Sequence, residues 1–184
     1  MVYLYFADGS EEIEFVTVLD VLRRADIETL SVSADVDSIC GIGAHGISIC
    51  TDIAADEVYL DDCEMIVVPG GIPGVDNIAA EQMCLDQIKA AFDEGKPVAA
   101  ICAGPTVLAK AGILSGRKAT IYPGMESHLE AAGATPVDER VVIDGNVITS
   151  QGPGTAMEFA FAIVEYLKGK EVADSVKSDM LICC

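Results

Sequence analysis

Two apolar runs, "MIVVPGG" at 65–71 and "PVAAIC" at 97–102, constrain this chain more than any other feature. Each has strand length and no polar alternation. A strand can be apolar on both sides only when both faces are covered, as in the interior of a parallel sheet with helices above and below. Helical spacing follows each run, over about 78–94 (Ile78, Leu85, Ile88, Phe92) and over 103–112. The same alternation begins earlier. "VYLYFA" (2–7) reads as a strand, a helix runs from an N-cap at Ser10 to about Ala25, and "IETLSVSA" (27–34) and "GISIC" (46–50) read as the second and third strands. It continues with a strand at 118–121, a short helix at 125–133 and a hairpin turning at Asp144-Gly145. A helix over 154–169 and a shorter one close the chain. The expected fold is therefore an α/β three-layer sandwich, one domain over 1–184, with a mainly parallel sheet and a late β-hairpin at one edge.

Composition fits such a layered core. Aromatic residues are only 5% and Trp is missing, so Val, Ile, Leu and Ala must fill the interior. Lys and Arg total 11 against 30 Asp and Glu, a formal charge of −19. Such a surface repels phosphate backbones and anionic bilayers, which argues against nucleic acid and membranes as partners. No apolar run approaches the ~18 residues of a membrane span. The first residues carry no basic segment before Asp8, Glu11 and Glu12, so a cytoplasmic location is expected. Seven Cys with no C-x-x-C spacing predict reduced thiols rather than a disulfide framework or a zinc site. The Cys183-Cys184 pair reads as a reduced tail rather than a soft-metal site.

Residues 41–46, "GIGAHG", match G-x-G-x-x-G literally. A dinucleotide fingerprint needs a preceding strand and a helix opening on the loop. Here a β-like "ISIC" follows, so the segment reads as a glycine-rich loop. There is no P-loop and no G-x-S-x-G elbow.

A different constellation carries chemistry. Cys102 stands where an apolar strand meets "AGPT", the start of a helix. Ligands of open α/β sheets bind beyond the carboxyl ends of the strands. A thiol on such a turn is either a reactive group or a buried structural cysteine. Gly70-Gly71 ends the neighbouring apolar run, and the amides of Gly71 and Ala103 could form an oxyanion hole if the two strands adjoin. Glu14 shares a helix face with Val18, Val21, Leu22 and Ala25. Its carboxyl is either semi-buried beside something that needs it or tilted to solvent with Glu11. His45 and His128, the only two His, read as surface residues.

The segments "DGSEEIE…VLDVLRRA" (8–25), "VVPGG" (67–71), "AAICAGPTVLA" (99–109) and "TSQGPGTAMEFAFAIVEYLKGKEVA" (149–173) together resemble the ThiJ/PfpI superfamily, in its Parkinson-disease protein deglycase (DJ-one) branch. The resemblance implies a flavodoxin-like sandwich, a homodimer, and a nucleophile elbow at Cys102. It assigns the family acid to Glu14 and the oxyanion amides to Gly71 and Ala103. Two positions depart from the pattern. The peptidase branch has His directly after the Cys, where this chain has Ala103. In the best-known protein of the deglycase branch a His lies twenty residues after the Cys, where this chain has Tyr122, a possible auxiliary group but no imidazole.

The activity so implied is that of a glyoxalase III or protein deglycase, acting without metal, glutathione or other cofactor on small aldehydes or glycated proteins. Cys102 would attack the aldehyde and Glu14 would move the proton. The alternative is an oxidative-stress sensor or protective chaperone-like protein in which Cys102 becomes a sulfinate; an intracellular cysteine peptidase fits less well. The Glu14 pKa is expected to be raised by burial and that of Cys102 to be lowered, the two titrating as a pair.

Overall fold

The computed structural model describes residues 1–182; the Cys183-Cys184 pair lies outside them. In chain order the regular elements are β1 (Val2–Phe6), α1 (Glu12–Arg24), β2 (Thr29–Ser33), β3 (Cys40–Ile42), β4 (Ser48–Cys50), β5 (Ile53–Ala54), β6 (Met65–Val68), α2 (Gly74–Ala80), α3 (Gln82–Asp93), β7 (Val98–Ile101), α4 (Pro105–Lys110), β8 (Lys118–Ala119), α5 (Glu126–Ala131), β9 (Thr135–Pro136), β10 (Val141–Asp144), β11 (Val147–Ser150), α6 (Ala156–Lys168) and α7 (Lys170–Asp179). Seven strands form one sheet in the order β10-β11-β7-β6-β1-β2-β5. All its pairings are parallel except β10 with β11. The five strands β2-β1-β6-β7-β11 give the flavodoxin-like order, and the late hairpin adds the antiparallel edge.

Both faces of the sheet are covered, as the unbroken apolar runs require. Tyr3, Tyr5, Ile66, Val68, Val98 and Ala100 point to one side, where α2, α3, α4 and α5 contribute Ile78, Ile88, Val107 and Leu129. Val2, Leu4, Phe6, Met65, Val67, Ala99 and Ile101 point to the other, against Phe15, Val18 and Leu22 of α1 and Phe159 and Ile163 of α6. At roughly 25 cal/mol per Å² of apolar surface, these two layers supply the main driving force for folding.

Several expectations need correction. "GISIC" is not a third strand of the main sheet: among the described residues, Ser48–Cys50 pairs with Cys40–Ile42 alone, in a separate two-stranded ribbon. Residues 78–94 are not one helix, because Glu81 is extended (φ −83°, ψ 105°) and separates α2 from α3. The strand at 118–121 is reduced to Lys118–Ala119, paired with β9 outside the main sheet. Ser10 does not cap α1. Its hydroxyl accepts from the Ala7 amide, while the Glu11 carboxylate accepts from Ile13 at the helix start. The cysteines also depart from expectation. Cys40 and Cys50 are joined by a disulfide, while Cys63, Cys84 and Cys102 are free. The pairing of β3 with β4 sets Cys40 directly opposite Cys50 with 4.0 Å between Cα atoms, a cross-strand relationship that C-x-x-C counting does not capture.

Candidate active site

The sheet order reverses at β1 and β6, and the loops leaving these two strands part there, opening a crevice at the carboxyl end of the sheet. Three strand ends meet at this crevice. β1 leads into the loop 7–11 and α1, β6 ends at Pro69-Gly70-Gly71, and β7, parallel to β6, delivers Cys102.

Cys102 is a non-glycine residue in the left-handed region, at φ 62°. Such a backbone costs roughly 1–2 kcal/mol for a residue with a Cβ. It is held by neighbours on two sides: its N–H donates to Ser150 O at 2.9 Å, and its carbonyl accepts from the Tyr122 N–H at 3.0 Å. The turn tips the side chain out of the sheet toward Gly70 and Glu14, and the residue stays partly accessible. Gly104 lets the start of the next helix sit on the end of β6. A Cβ there would lie 2.7 Å from Val68 O.

Glu14 reaches the same spot from α1. The apolar stripe predicts one of two fates for it, and the structure selects burial: its exposure is 0%, and Glu11 beside it is buried too. Oε2 accepts the Gly70 N–H at 2.7 Å. Oε1 is the one buried side-chain oxygen among the described residues that has no hydrogen-bond partner. Gly70 must lack a side chain here, because a Cβ would meet Cys102 Cβ at 2.5 Å, Glu14 Oε2 at 2.7 Å and Cys102 Sγ at 2.9 Å.

Burial raises the Glu14 pKa to about 7, against the lowering effect of the Gly70 N–H and of the neighbouring Cys102 thiol. The Cys102 pKa, however, goes up to about 12 rather than down. Desolvation is the largest cause, followed by the charge of Glu14; the amides of Ala103 and Gly71 act on the sulfur in the opposite sense but do not prevail. The expected low-pKa thiol is therefore not what the resting site holds. The sulfur keeps its proton, and the neighbouring carboxyl exchanges one near neutrality. This arrangement can transfer the thiol proton to Glu14 as the sulfur attacks, and it brings the Ala103 and Gly71 amides to the sulfur itself.

Of the remaining candidates, Tyr122 is near in the backbone but 48% exposed, with its ring against Gly152. His128 is exposed on α5 and lines a surface cavity with Ile72, Thr106 and Met125, and no contact joins it to Cys102 or Glu14. His45 is not merely a surface residue. Its ring is exposed, but Nδ1 lies 3.0 Å from Glu12 Oε2 and 3.3 Å from Glu11 Oε2. Its backbone N–H also donates to Glu12 Oε1 at 2.7 Å. The sequence reading missed this contact because 33 residues separate the partners, and only the ribbon brings them together. No helix among the described residues is long and apolar enough to cross a membrane.

The family model for the DJ-1/PfpI family matches residues 1–166. The crystal structure of DJ-1beta from Drosophila melanogaster superposes with a TM-score of 0.94 at 38% identity, covering 100% of this chain and 98% of that one. The glutathione-independent glyoxalase DJR-1.2 of Caenorhabditis elegans is 36% identical over 92% of this chain and 89% of its own. A deglycase of Pyrococcus abyssi is 35% identical over 91% of this chain and 99% of its own. Against two longer Arabidopsis thaliana relatives, DJ-1 homologs B and A, the chain spans 37% and 46% of their length.

Proposed function

The chain belongs to the DJ-1/PfpI family, and on that premise we propose that it is a cofactor-independent cysteine enzyme of glyoxalase III or deglycase type. Its substrates are small α-oxoaldehydes or their adducts with proteins. One observation carries the reading: a partly accessible thiol on a left-handed turn faces a fully buried carboxyl whose second oxygen has no partner. The names of the Caenorhabditis and Pyrococcus relatives support the same chemistry.

The steps follow from the groups present. Glu14 takes the Cys102 proton as sulfur adds to the aldehyde carbon, so a thiol of raised pKa still attacks near neutral pH. The oxygen left negative by the attack turns to the Gly71 and Ala103 amides and takes the proton back from Glu14, which gives the hemithioacetal and returns Glu14 to carboxylate. Glu14 then removes the proton from the former aldehyde carbon and returns it to the adjacent carbon. The aldehyde carbon is thereby oxidised and its neighbour reduced, giving a thioester. Water hydrolyses the thioester to a hydroxy acid and frees the thiol. Overall, methylglyoxal plus water becomes lactate, with no outside electron carrier. Tyr122, without imidazole basicity near neutral pH, would serve only as a hydrogen-bonding auxiliary.

The test is lactate formation from methylglyoxal in the absence of glutathione and metal, with Cys102→Ala as control. Turnover that Cys102→Ala abolishes is the expected result; no turnover, or equal turnover in the variant, rejects the reading.

A second reading, a sensor in which Cys102 is oxidised, draws support from the same oxygen. Protonated Glu14 offers a hydrogen-bond donor to a sulfinate, as the amides do, so oxidation would halt at that stage. We also propose that the chain is a homodimer. Ile13 and Val16 on α1 are 56% and 50% exposed beside the crevice, which suits a shared apolar face.

A further inference from the structure

We propose that the surface cavity between α2, α4 and α5 is a subsite for the substituent of the aldehyde that Cys102 attacks, and that it selects α-oxoaldehydes with a branched apolar chain over methylglyoxal. This rests on the glyoxalase or deglycase reading above and adds to it the residues that choose the substrate. The cavity holds about 470 Å³, far more than a methyl group fills. It belongs to the helix layer on the face of the sheet opposite α1 and α6. Its walls come from the three segments that hold the thiol. Ile72 follows Gly71, whose amide acts on the Cys102 sulfur, and consecutive Cα atoms are about 3.8 Å apart. Thr106 is the second residue of α4; its hydroxyl donates to Ala103 O at 2.7 Å, and the Ala103 amide also acts on the sulfur. Met125 N–H donates to Tyr122 O at 3.0 Å, and Tyr122 N–H donates to Cys102 O at 3.0 Å. Ile72, Thr106 and Met125 thus border the surroundings of the thiol as well as the cavity.

The lining suits a neutral apolar group. Ile72, Val75, Ala79 and Met125 offer hydrocarbon to the cavity. Ile72 is 64% exposed, so a substituent laid on it removes apolar surface from water on both partners. Two of the polar side chains are already committed to backbone oxygens. One is Thr106; the other is Lys110, whose ammonium donates to Ala79 O at 2.7 Å. Asp76 and His128 complete the polar lining, and both are exposed. A cationic substituent would meet Lys110 and an anionic one Asp76, in a chain whose net charge of −19 already repels anions. A branched alkyl chain meets neither penalty.

The bond changes are those given above with isobutyl in place of methyl. Isobutylglyoxal plus water becomes the corresponding hydroxy acid, the aldehyde carbon being oxidised and its neighbour reduced. In the hemithioacetal the ketone carbon is two bonds from sulfur, and its substituent lies along Ile72. One methylene placed in an apolar pocket is worth about tenfold or more in kcat/KM. Because Ile72 keeps part of its contact with water, the three carbons that isobutyl adds to methyl are assigned about tenfold together. The gain comes mainly as a lower KM, since the substituent is held alike before and during the reaction.

The test compares methylglyoxal with isobutylglyoxal as substrates of the full chain. In parallel it compares iodoacetamide with its N-isobutyl derivative as labels of Cys102, read by mass spectrometry. In the labelling, sulfur displaces iodide and gives up its proton, which sets a carbonyl carbon the same two bonds from sulfur and needs no turnover. Glutathione supplies the intrinsic rate ratio of the two labels. The expected results are a kcat/KM about tenfold higher for isobutylglyoxal and a preference for the isobutyl label at Cys102 about fivefold above that of glutathione. Ile72→Ala should lower both preferences about threefold or more; should that variant fail to fold, the wild-type ratios decide alone. A label preference no greater than that of glutathione overturns the subsite. So does Ile72→Ala protein that keeps the full preference, or methylglyoxal turned over as well as isobutylglyoxal. A label preference without turnover of either aldehyde upholds the subsite and rejects the enzyme activity, so the two readings fail separately.

Discussion

The main-chain N–H of Gly70 donates to one oxygen of Glu14 at 2.7 Å, and the other oxygen is buried without a hydrogen-bond partner. A single amide thus fixes the carboxyl's orientation while keeping a proton site free. Because Glu14 is charged above about pH 7 and holds the thiol pKa up, its removal should affect reactivity and turnover in opposite directions. Glu14→Gln should alkylate at Cys102 about tenfold faster than wild type at pH 8, one unit of pKa being tenfold in thiolate. Its aldehyde turnover should fall about a hundredfold or more, the usual scale for losing a general base. Parallel iodoacetamide and lactate assays check this, and a variant that loses or keeps both together contradicts it.

The same carboxyl makes stability depend on pH. Its pKa is raised on folding from 4.5 to about 7, so the folded state holds the proton more tightly than the unfolded chain. The linked stability is complete below pH 4.5 and is lost as pH rises through about 7, by roughly 3 kcal/mol in all. Glu14→Gln does not titrate. Its stability relative to wild type should therefore rise by about that amount between pH 4.5 and pH 8 in urea unfolding. A constant difference across this range would mean Glu14 titrates in the folded protein as it does in the open chain.

Gly70→Ala is expected to remove activity without removing any functional group. Its methyl would press on Cys102 and Glu14 at once. A destabilisation of about 1–3 kcal/mol, typical of overpacking, should accompany loss of most lactate formation. Thermal unfolding beside the activity assay decides it; near-wild-type turnover would show that the crevice has more room than the geometry allows.

Tyr122→His places an imidazole twenty residues after Cys102, the spacing that the family resemblance in the sequence pointed to. The site is half-exposed and its backbone already bonds Cys102 O, so the substitution should fold normally. Turnover near pH 7 should increase several-fold, with a new pH limb near the His range. An unchanged pH profile would place residue 122 outside the proton path.

Light scattering across micromolar concentrations should give twice the 19.3 kDa mass of the chain, and Ile13→Glu should halve it. A monomer mass for wild type removes the dimer.

Much of this architecture was legible because it depends on local pattern. "MIVVPGG" and "PVAAIC" announce interior strands by lacking polar alternation, and the Asp144-Gly145 turn announces the edge hairpin. The apolar stripe behind Glu14 narrowed its environment to two cases, and only packing could choose between them. What stayed hidden depends on contacts across the chain. Glu81 has no helix-breaking side chain, yet it is extended between α2 and α3. The Cys40–Cys50 bond follows from ribbon register, and His45 meets Glu12 only once that ribbon is folded over α1. The Cys102 pKa went the other way from the expectation because helix amides are visible in sequence, whereas the depth of burial is not.

The left-handed backbone at Cys102 also makes the site a place where durability and chemistry compete. Glycine adopts φ 62° without the clash of a β-carbon, so Cys102→Gly should melt higher than Cys102→Ala even though neither has a thiol. A gain from this relief of about 1 kcal/mol, less glycine's added freedom in the unfolded chain, lies within reach of one base change in a Cys codon. A lineage that no longer needed the thiol would be free to drift toward the sturdier residue. The persistence of a β-carbon in this conformation would then report continued demand for what the sulfur does.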